Sequence, residues 1–247
     1  MNKTLKILRS LGPIDLRGIR RDSMLSWMIV IPILSALILR WAVPPLTEAL
    51  IRRYDFNLEP YYPVLLAYFF VVMSPIIFSV LVGFLLLDEK DDRTLTALLI
   101  TPLSINSYLA YRVALPVILT IVLMFIIFPL ANLGELTFGP LLLTAISAAP
   151  MSPMFAMYLA SMAQNKVQGF ALTKLSGFVL FVPILAYFID SDWEIAFGII
   201  PTYWPMKVYW TFTAGEPKAW IYVLVAVFYQ SFVTWLFVRR FNKTMHR

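Results

Sequence analysis

The sequence contains no cysteine and only one histidine, His246, close to its end. Without cysteine the chain can form neither a disulfide framework nor a thiolate metal site. A single histidine near the end also removes the residue that proteins use most often to shuttle protons and bind metals. These absences exclude disulfide-stapled and thiolate-metal proteins, and they leave His246 as the only side chain that could bind a metal through nitrogen or sulfur of an imidazole or thiolate.

Charged residues are scarce as well. They make up 14% of the 247 residues, whereas hydrophobic residues make up 60%. A soluble domain of this length is seldom so apolar, so we expect the chain to lie in a lipid bilayer. The net charge of +6 could indicate nucleic-acid binding, but bases that flank apolar segments also orient a membrane protein. We therefore expect contact with membrane lipid and no nucleic-acid partner.

Six segments are long and apolar enough to cross a hydrocarbon layer of about 30 Å, which takes about 20 helical residues. The predicted fold class is therefore an all-α polytopic membrane protein, with a single transmembrane domain over residues 1–247. No small-residue cleavage site follows the first segment, so we interpret it as a retained span and not as a signal peptide. The predicted spans are residues 24–43, 61–87, 113–131, 141–162, 170–189 and 219–238.

The distribution of Lys and Arg among the connecting segments predicts the orientation. With both termini in the cytoplasm, the internal segments carry about three times as many Lys and Arg residues as the external ones, as the positive-inside rule requires. The predicted location is the cell membrane, with several spans and both ends cytoplasmic. Lys174 lies within the fifth predicted span, where its side chain can extend to the interface.

The segment DEKDDR, residues 88–93, follows the second predicted span directly. A simple interpretation is a solvated, self-paired turn that ends the helix. The next residues, TLTALLI at 94–100, are compatible with a short helix that ends at Thr101-Pro102. Seven residues cannot cross a bilayer, and they are too apolar to float in water. A short amphipathic helix of this kind is typical of a docking element for a soluble partner.

This string, LDEKDDRTLTALLITPLSINSYLAYR, resembles the first cytoplasmic loop of type-2 ABC exporter permeases. In that family the loop, here residues 88–108, forms a coupling helix seated on the ATPase subunit. A glycine usually precedes the Thr-Leu pair in the family, and Arg93 holds that place here. The positions that match the family pattern are Glu89, Lys90, Asp92, Arg93, Thr94, Leu95, Leu98, Leu99, Thr101, Pro102 and Leu103.

The resemblance implies a permease subunit that exports a hydrophobic small molecule, such as a drug, with energy from a separate ATPase. It further implies two copies of that ATPase, which bind ATP and Mg, and a second permease, identical or homologous. The segments LGPIDLRGIRRDSMLSW and PTYWPMKVYW are similar to permeases of fluoroquinolone export. The chain contains no phosphate-binding loop of its own, so it is expected to hold no cofactor and to be no enzyme.

Residues 1–22 combine six bases with leucines at three-residue spacing, which indicates an interfacial helix broken at Gly12-Pro13. Such a helix can anchor to anionic lipid, where each base contributes about 1 kcal/mol. The family resemblance implies a connecting helix that also touches the ATPase, with Arg17, Arg20 and Arg21 as candidate contacts.

Residues 195–213 are apolar but are interrupted by Pro201 and Pro205, so they cannot span the membrane. A re-entrant or interfacial hairpin on the extracellular side fits this pattern, with an aromatic belt at the headgroups as the simpler reading. The resemblance implies short helices that cap the exit route. We therefore place a candidate extracellular gate at Pro201, Thr202, Tyr203, Trp204 and Pro205.

No charged residue lies near the middle of any predicted span, which disfavours a proton-coupled transporter or a selective channel. A secondary transporter nevertheless stays as an alternative. A membrane-embedded enzyme is another, with Asp88, Asp91 and Asp92 binding Mg²⁺ on a diphosphate, although no second acidic cluster faces them. Aromatic residues in the second and fifth spans suit a planar substrate, and lipid contact explains them equally well.

Overall fold

The computed structural model describes residues 12–13, 15–17, 19–21, 23–92, 105–134 and 136–245. Within these ranges every regular element is helical. Six helices are long and apolar enough to cross a membrane, which confirms the six predicted spans. We number them spans 1 to 6: Leu25–Tyr54, Glu59–Asp91, Ser107–Ala131, Phe138–Met162, Lys166–Phe188 and Ala219–Lys243.

The helix of span 1 begins at Ser23 and continues for 32 residues to Tyr54, past the predicted end at residue 43. It passes through Pro32, Pro44 and Pro45 without interruption. At 1.5 Å per residue its length is about 48 Å, which exceeds the hydrocarbon thickness of about 30 Å. Hydropathy predicted where the apolar stretch ends, and the helix extends beyond it.

Span 2 changes helix type along its length. A 3₁₀ turn, Glu59–Tyr61, leads into an α-helix, Tyr62–Leu66, then into a π-helical segment, Ala67–Val72, and finally into an α-helix, Met73–Asp91. The π-helical geometry ends at Val72, three residues before Pro75, which cannot donate a backbone hydrogen bond.

Prolines also interrupt two later spans. Span 4 consists of helices Phe138–Ala148 and Met151–Met162, separated at Pro150. Span 5 begins as an α-helix, Lys166–Phe181, and tightens into a 3₁₀-helix, Val182–Phe188, at Pro183. The helix of span 3, Ile105–Ala131, instead contains Pro116 without a break. The α-helical geometry therefore changes at Pro150 and Pro183, while Pro32 and Pro116 lie in continuous helices.

Spans 2 and 4 form the centre of the bundle. Within their most apolar stretches, 89% and 67% of the residues are buried, against 22% to 33% in the other spans. Two hydrophobic clusters stack along this axis, one around Phe70 and Met124 and one around Phe84 and Leu159. Spans 1, 3, 5 and 6 therefore surround a central pair and leave their outer faces for lipid.

We name the two ends of the bundle the Asp88 side and the Asp190 side. The Asp88 side contains residues 15–17, 19–21, 23–25, 88–92, 107–112 and 160–166, where Lys166 pairs with Asp88 at 3.0 Å. The Asp190 side contains residues 54–61, 131–134, 136–138 and 188–219. There the Tyr187 hydroxyl donates to the Pro60 carbonyl at 2.6 Å.

Two short helices precede span 6 on the Asp190 side: a 3₁₀-helix, Asp192–Ile199, and an α-helix, Tyr203–Thr213. The turn between them contains Pro201 and Thr202. We call residues 192–213 the hairpin segment. The final helix, Ala219–Met245, follows it and contains span 6.

Candidate functional sites at the two sides of the bundle

A buried charge cluster lies on the Asp88 side, centred on Arg112 of span 3. The Arg112 side chain has no exposed surface, and one of its terminal nitrogens donates to the carboxylate of Asp15 at 2.9 Å. Its other terminal nitrogen pairs with the carboxylate of Glu89, at the end of span 2. One guanidinium therefore joins three separate segments of the chain.

Two tyrosines complete this cluster. The Tyr108 hydroxyl accepts from Nε of Arg112 at 3.0 Å and donates to Glu89. The Tyr111 hydroxyl donates to Asp15 at 2.8 Å. Both tyrosines are buried. Because a buried carboxylate or guanidinium is costly unless it is paired and hydrogen-bonded, this complete set of partners explains how three charges can lie inside the bundle.

The residues beside Glu89 reach two further spans. Lys90 donates to the backbone carbonyl of Ala163, at the end of span 4, at 2.9 Å. Asp88 pairs with Lys166 at the start of span 5. The acidic end of span 2 thus contacts spans 3, 4 and 5, and Arg112 joins it to the helical residue Asp15.

Of the predicted coupling residues, Glu89 and Lys90 lie inside this network, and Asp92 is exposed in the turn after span 2. The other eight predicted residues lie outside the described residues: Arg93, Thr94, Leu95, Leu98, Leu99, Thr101, Pro102 and Leu103.

In the predicted connecting helix, residues 12–13, 15–17 and 19–21 are helical, and Arg17, Arg20 and Arg21 are exposed. None of Asp15, Tyr108, Tyr111 and Arg112 was predicted from the sequence as a member of a site. One signal was available: Arg112 lies at the edge of an apolar span and requires an acidic partner. Nothing in the sequence indicated that one partner is located 97 residues earlier.

The three Asp residues of the enzyme alternative differ from one another in their surroundings. Asp88 is paired with Lys166, whereas Asp91 and Asp92 are exposed. In the part of the chain that the structure describes, no group of three or more His, Cys, Asp or Glu side chains could hold a metal ion.

On the Asp190 side, hydrogen bonds join the turn of the hairpin segment to the neighbouring spans. The Tyr229 hydroxyl of span 6 donates to the Ile199 carbonyl at 2.6 Å, and the Gln230 amide donates to the Pro201 carbonyl at 3.5 Å. The Thr202 hydroxyl donates to the Leu180 carbonyl of span 5 at 3.2 Å. Since Gln230 follows Ala219 by eleven residues, the turn lies about 16 Å along span 6 from its start.

The five predicted gate residues lie together at this turn and at the start of the helix that follows it. Thr202, Tyr203 and Pro205 are buried, and Pro201 and Trp204 are partly buried. The Trp204 ring nitrogen donates to the Gly198 carbonyl at 2.8 Å, which closes the hairpin on itself. A Cβ added to Gly198 would lie 2.6 Å from the Trp204 ring, so glycine is required for this close contact.

A cavity of about 820 Å³ opens beside the hairpin segment. The rings of Tyr187 and Trp210, 5.2 Å apart, form part of its wall. Lys207, the one base among its lining residues, pairs with Glu194 at 2.5 Å. The remaining acidic lining residues are Asp190, Asp192 and Glu216. The cavity is therefore acidic.

The six spans, with the charge cluster on one side and the hairpin segment on the other, define a polytopic helical membrane protein. The chain belongs to the family described as fluoroquinolones export permease protein Rv2686c-like, whose model matches residues 15–238. Nearly the whole bundle, from Asp15 to the last turns of span 6, lies within that match.

Two curated relatives from Mycobacterium tuberculosis are similar over almost their whole length. They are the fluoroquinolones export permease proteins MT2760, of strain CDC 1551 / Oshkosh, and Rv2686c, of strain ATCC 25618 / H37Rv. Each is 31% identical over 241 residues, which covers 96% of this chain and 94% of the relative. The names of both denote membrane transport proteins and not enzymes. No solved structure matches the chain.

Proposed function

We propose that this chain is the membrane-spanning subunit of an ATP-driven ABC exporter that moves a hydrophobic small molecule out of the cell. The names of the relatives make fluoroquinolones the first substrate class to test. The Asp88 side faces the cytoplasm and both termini are internal, in agreement with the excess of Lys and Arg in those segments.

The partner that supplies energy is a separate ATPase, present in two copies, which binds ATP and Mg. It contacts the coupling segment, residues 88–103, and the exposed face of residues 12–21. A second permease, identical or homologous, completes the complex. This chain contributes no catalytic residue and carries no cofactor.

The observation that carries the proposal is the buried Arg112 cluster. A coupling segment is useful only if displacement by the ATPase is transmitted into the spans. Glu89 lies at the start of that segment, and its ion pair with Arg112 joins it to span 3 and to Asp15. Separating a buried ion pair costs about 3–5 kcal/mol. The segment, the start of span 3 and the connecting helix therefore move together.

At the other side, the turn that includes Pro201–Pro205 closes the route. Hydrogen bonds from Gln230 and Thr202 tie this turn to spans 6 and 5. Tilting of these spans therefore displaces the turn and opens the route to the outside. The apolar spans supply no ionisable group at mid-depth that could drive transport alone, which favours an external motor over a proton-coupled mechanism.

Purification of the tagged chain from native membranes tests the proposal. We expect an ATPase subunit to be recovered in stoichiometric amount, and inverted vesicles to take up a fluoroquinolone only when ATP is added. In Glu89→Gln, with the chain still inserted and the ATPase still bound, uptake should fall by an order of magnitude or more.

Glu48→Gln is the matched control, because Glu48 is 72% exposed and pairs only with Arg52 on the surface. It should transport as the native chain does. Two results would contradict the proposal: purification without any nucleotide-binding subunit, or a Glu89→Gln variant that transports at the native rate.

A further inference from the structure

The outer face of span 6 carries one continuous apolar stripe. Leu224, Phe228, Phe232 and Trp235 follow one another at spacings of four, four and three residues, so they lie on a single face of the helix. Their exposed fractions lie between 49% and 76%. Only 22% of the most apolar stretch of this span is buried, so the stripe is directed away from the rest of the bundle.

A groove of about 590 Å³ lies along this stripe. It is lined by Leu224, Val225, Phe228, Tyr229 and Phe232. Tyr229 alone among them carries a polar side-chain atom, and its hydroxyl donates to the Ile199 carbonyl at 2.6 Å. Because the lining offers no unpaired polar side-chain atom, the groove suits a hydrocarbon chain and not a polar molecule.

Aromatic contacts connect the groove to two bases. Phe232, the last lining residue, stacks on Trp235 with 6.0 Å between the ring centroids. The guanidinium of Arg239 lies over the Trp235 ring, 4.7 Å from its centre. Lys243 follows Arg239 by four residues on the same face of the helix, and both bases are exposed. Among the described residues, neither base pairs with an acidic side chain.

The distance between the groove and these bases matches the depth of one lipid leaflet. Fifteen residues separate Phe228 from Lys243, which corresponds to about 22 Å along the helix. A bilayer with its headgroups is about 40–45 Å thick, so one leaflet is about 20–22 Å deep. Trp residues are enriched at the headgroup level, which places Trp235 and Arg239 near the lipid phosphates on the Asp88 side.

We propose that this face of span 6 binds one anionic phospholipid from the leaflet on the Asp88 side. The end of an acyl chain lies in the groove against Phe228 and Phe232, and the phosphate pairs with Arg239. Lys243 adds a second positive charge, which favours a headgroup with a net negative charge over one without. Binding of this lipid does not depend on what the chain exports.

Two other occupants of this face give different results in an experiment. Lipid that exchanges freely would also contact the stripe, but it would show no preference between headgroups. A second copy of the permease seated on the stripe would exclude lipid from it. The proposal therefore requires both contact with an acyl chain in the groove and a preference for an anionic headgroup.

The test uses the full chain in nanodiscs of phosphatidylcholine, which has no net charge. The probes are a phosphatidylglycerol and a phosphatidylcholine, present in small equal amounts, that carry the same diazirine at the end of one acyl chain. After irradiation, peptide mass spectrometry counts the adducts of each probe on residues 228–232. Phosphatidylglycerol adducts should exceed phosphatidylcholine adducts about tenfold, since each base near the headgroups attracts an anionic lipid.

The double variant Arg239→Gln, Lys243→Gln should form equal numbers of the two adducts, whereas Arg239→Lys should keep the preference. The matched control is Arg52→Gln with Arg53→Gln, which removes two exposed bases from the Asp190 side. This control should keep the native preference. Adducts on Ile38 of span 1, which is 54% exposed, serve as the internal reference for labelling.

Equal labelling of residues 228–232 by the two probes in the native chain would overturn the proposal, as would a preference that persists in the double variant. Labelling of Ile38 without labelling of residues 228–232 would show that protein covers the stripe, and it would also overturn the proposal. The assay needs no ATPase. Failure to recover an ATPase would therefore not affect it, and loss of the lipid preference would leave the proposed export intact.

Discussion

The guanidinium of Arg112 donates a 2.9 Å hydrogen bond to the carboxylate of Asp15, and the two residues lie 97 positions apart in the chain. Neither side chain has more than 8% of its surface exposed. A residue of the predicted interfacial helix is thus fixed inside the bundle. The helix that could anchor to lipid is also tied to the acidic end of span 2 through a shared arginine.

Replacement of Arg112 by Leu should destabilise the protein strongly. It leaves the buried carboxylate of Asp15 and the partly buried carboxylate of Glu89 without their cation, a change that costs about 3–5 kcal/mol. Thermal unfolding of the purified chain in detergent measures this loss. The control is Arg52→Gln, whose exposed pair with Glu48 contributes less than about 1 kcal/mol.

The cause of that loss can be tested in the same assay. Adding Asp15→Asn and Glu89→Gln to Arg112→Leu removes both uncompensated charges, so part of the lost stability should return. A triple variant no more stable than Arg112→Leu would show that the charges are not the cause.

Replacement of Gly198 by Ala should disturb the hairpin segment. The added Cβ would lie 2.6 Å from the Trp204 ring, so the ring or the 3₁₀-helix must shift. Overpacking of this kind costs about 1–3 kcal/mol. The melting temperature should fall, whereas Gly139→Ala should leave it nearly unchanged because a Cβ at Gly139 meets no atom within 4 Å. Equal effects of the two substitutions would contradict this account.

Replacement of Gln230 by Leu should affect the stability of the protein and the mobility of the turn at Pro201 differently. Gln230 is fully buried, and its amide makes one long hydrogen bond of 3.5 Å. Among the described residues, its side-chain oxygen has no partner. An unpaired buried polar group costs about 1–3 kcal/mol, so leucine should leave the melting temperature equal or higher. The turn at Pro201 should nevertheless become looser.

The chain has no cysteine, so Ile200→Cys provides a single thiol beside that turn. It should react faster with a maleimide in the Gln230→Leu background than in the native one. An unchanged labelling rate would mean that Gln230 does not hold the turn.

The same absence of cysteine allows a direct test of orientation. Ser191 and Gln164 are exposed on the Asp190 and Asp88 sides, respectively. In intact cells, a membrane-impermeant maleimide should label Ser191→Cys and should label Gln164→Cys only after permeabilisation. The reverse pattern would invert the proposed topology.

Part of the fold could be predicted from the sequence. The number and order of the spans follow from runs of apolar residues, because a bilayer demands about 20 of them per helix whatever the rest of the chain does. The positions of Pro201 and Pro205 similarly predicted that residues 195–213 cannot span the membrane. The end of span 1 was not predictable in this way, since its helix continues to Tyr54 through polar residues outside the apolar stretch.

The sequence by itself determined a six-span helical protein and indicated the acidic segment after span 2 as a candidate functional segment. Both follow from hydropathy and charge, which are local properties of the side chains. Only the tertiary structure decided the partners of that segment. Asp15, Arg112 and Glu89 meet because three helices converge, and Gln230 reaches Pro201 because span 6 packs beside the hairpin segment. Such contacts depend on packing between residues far apart in the chain, which no local pattern encodes.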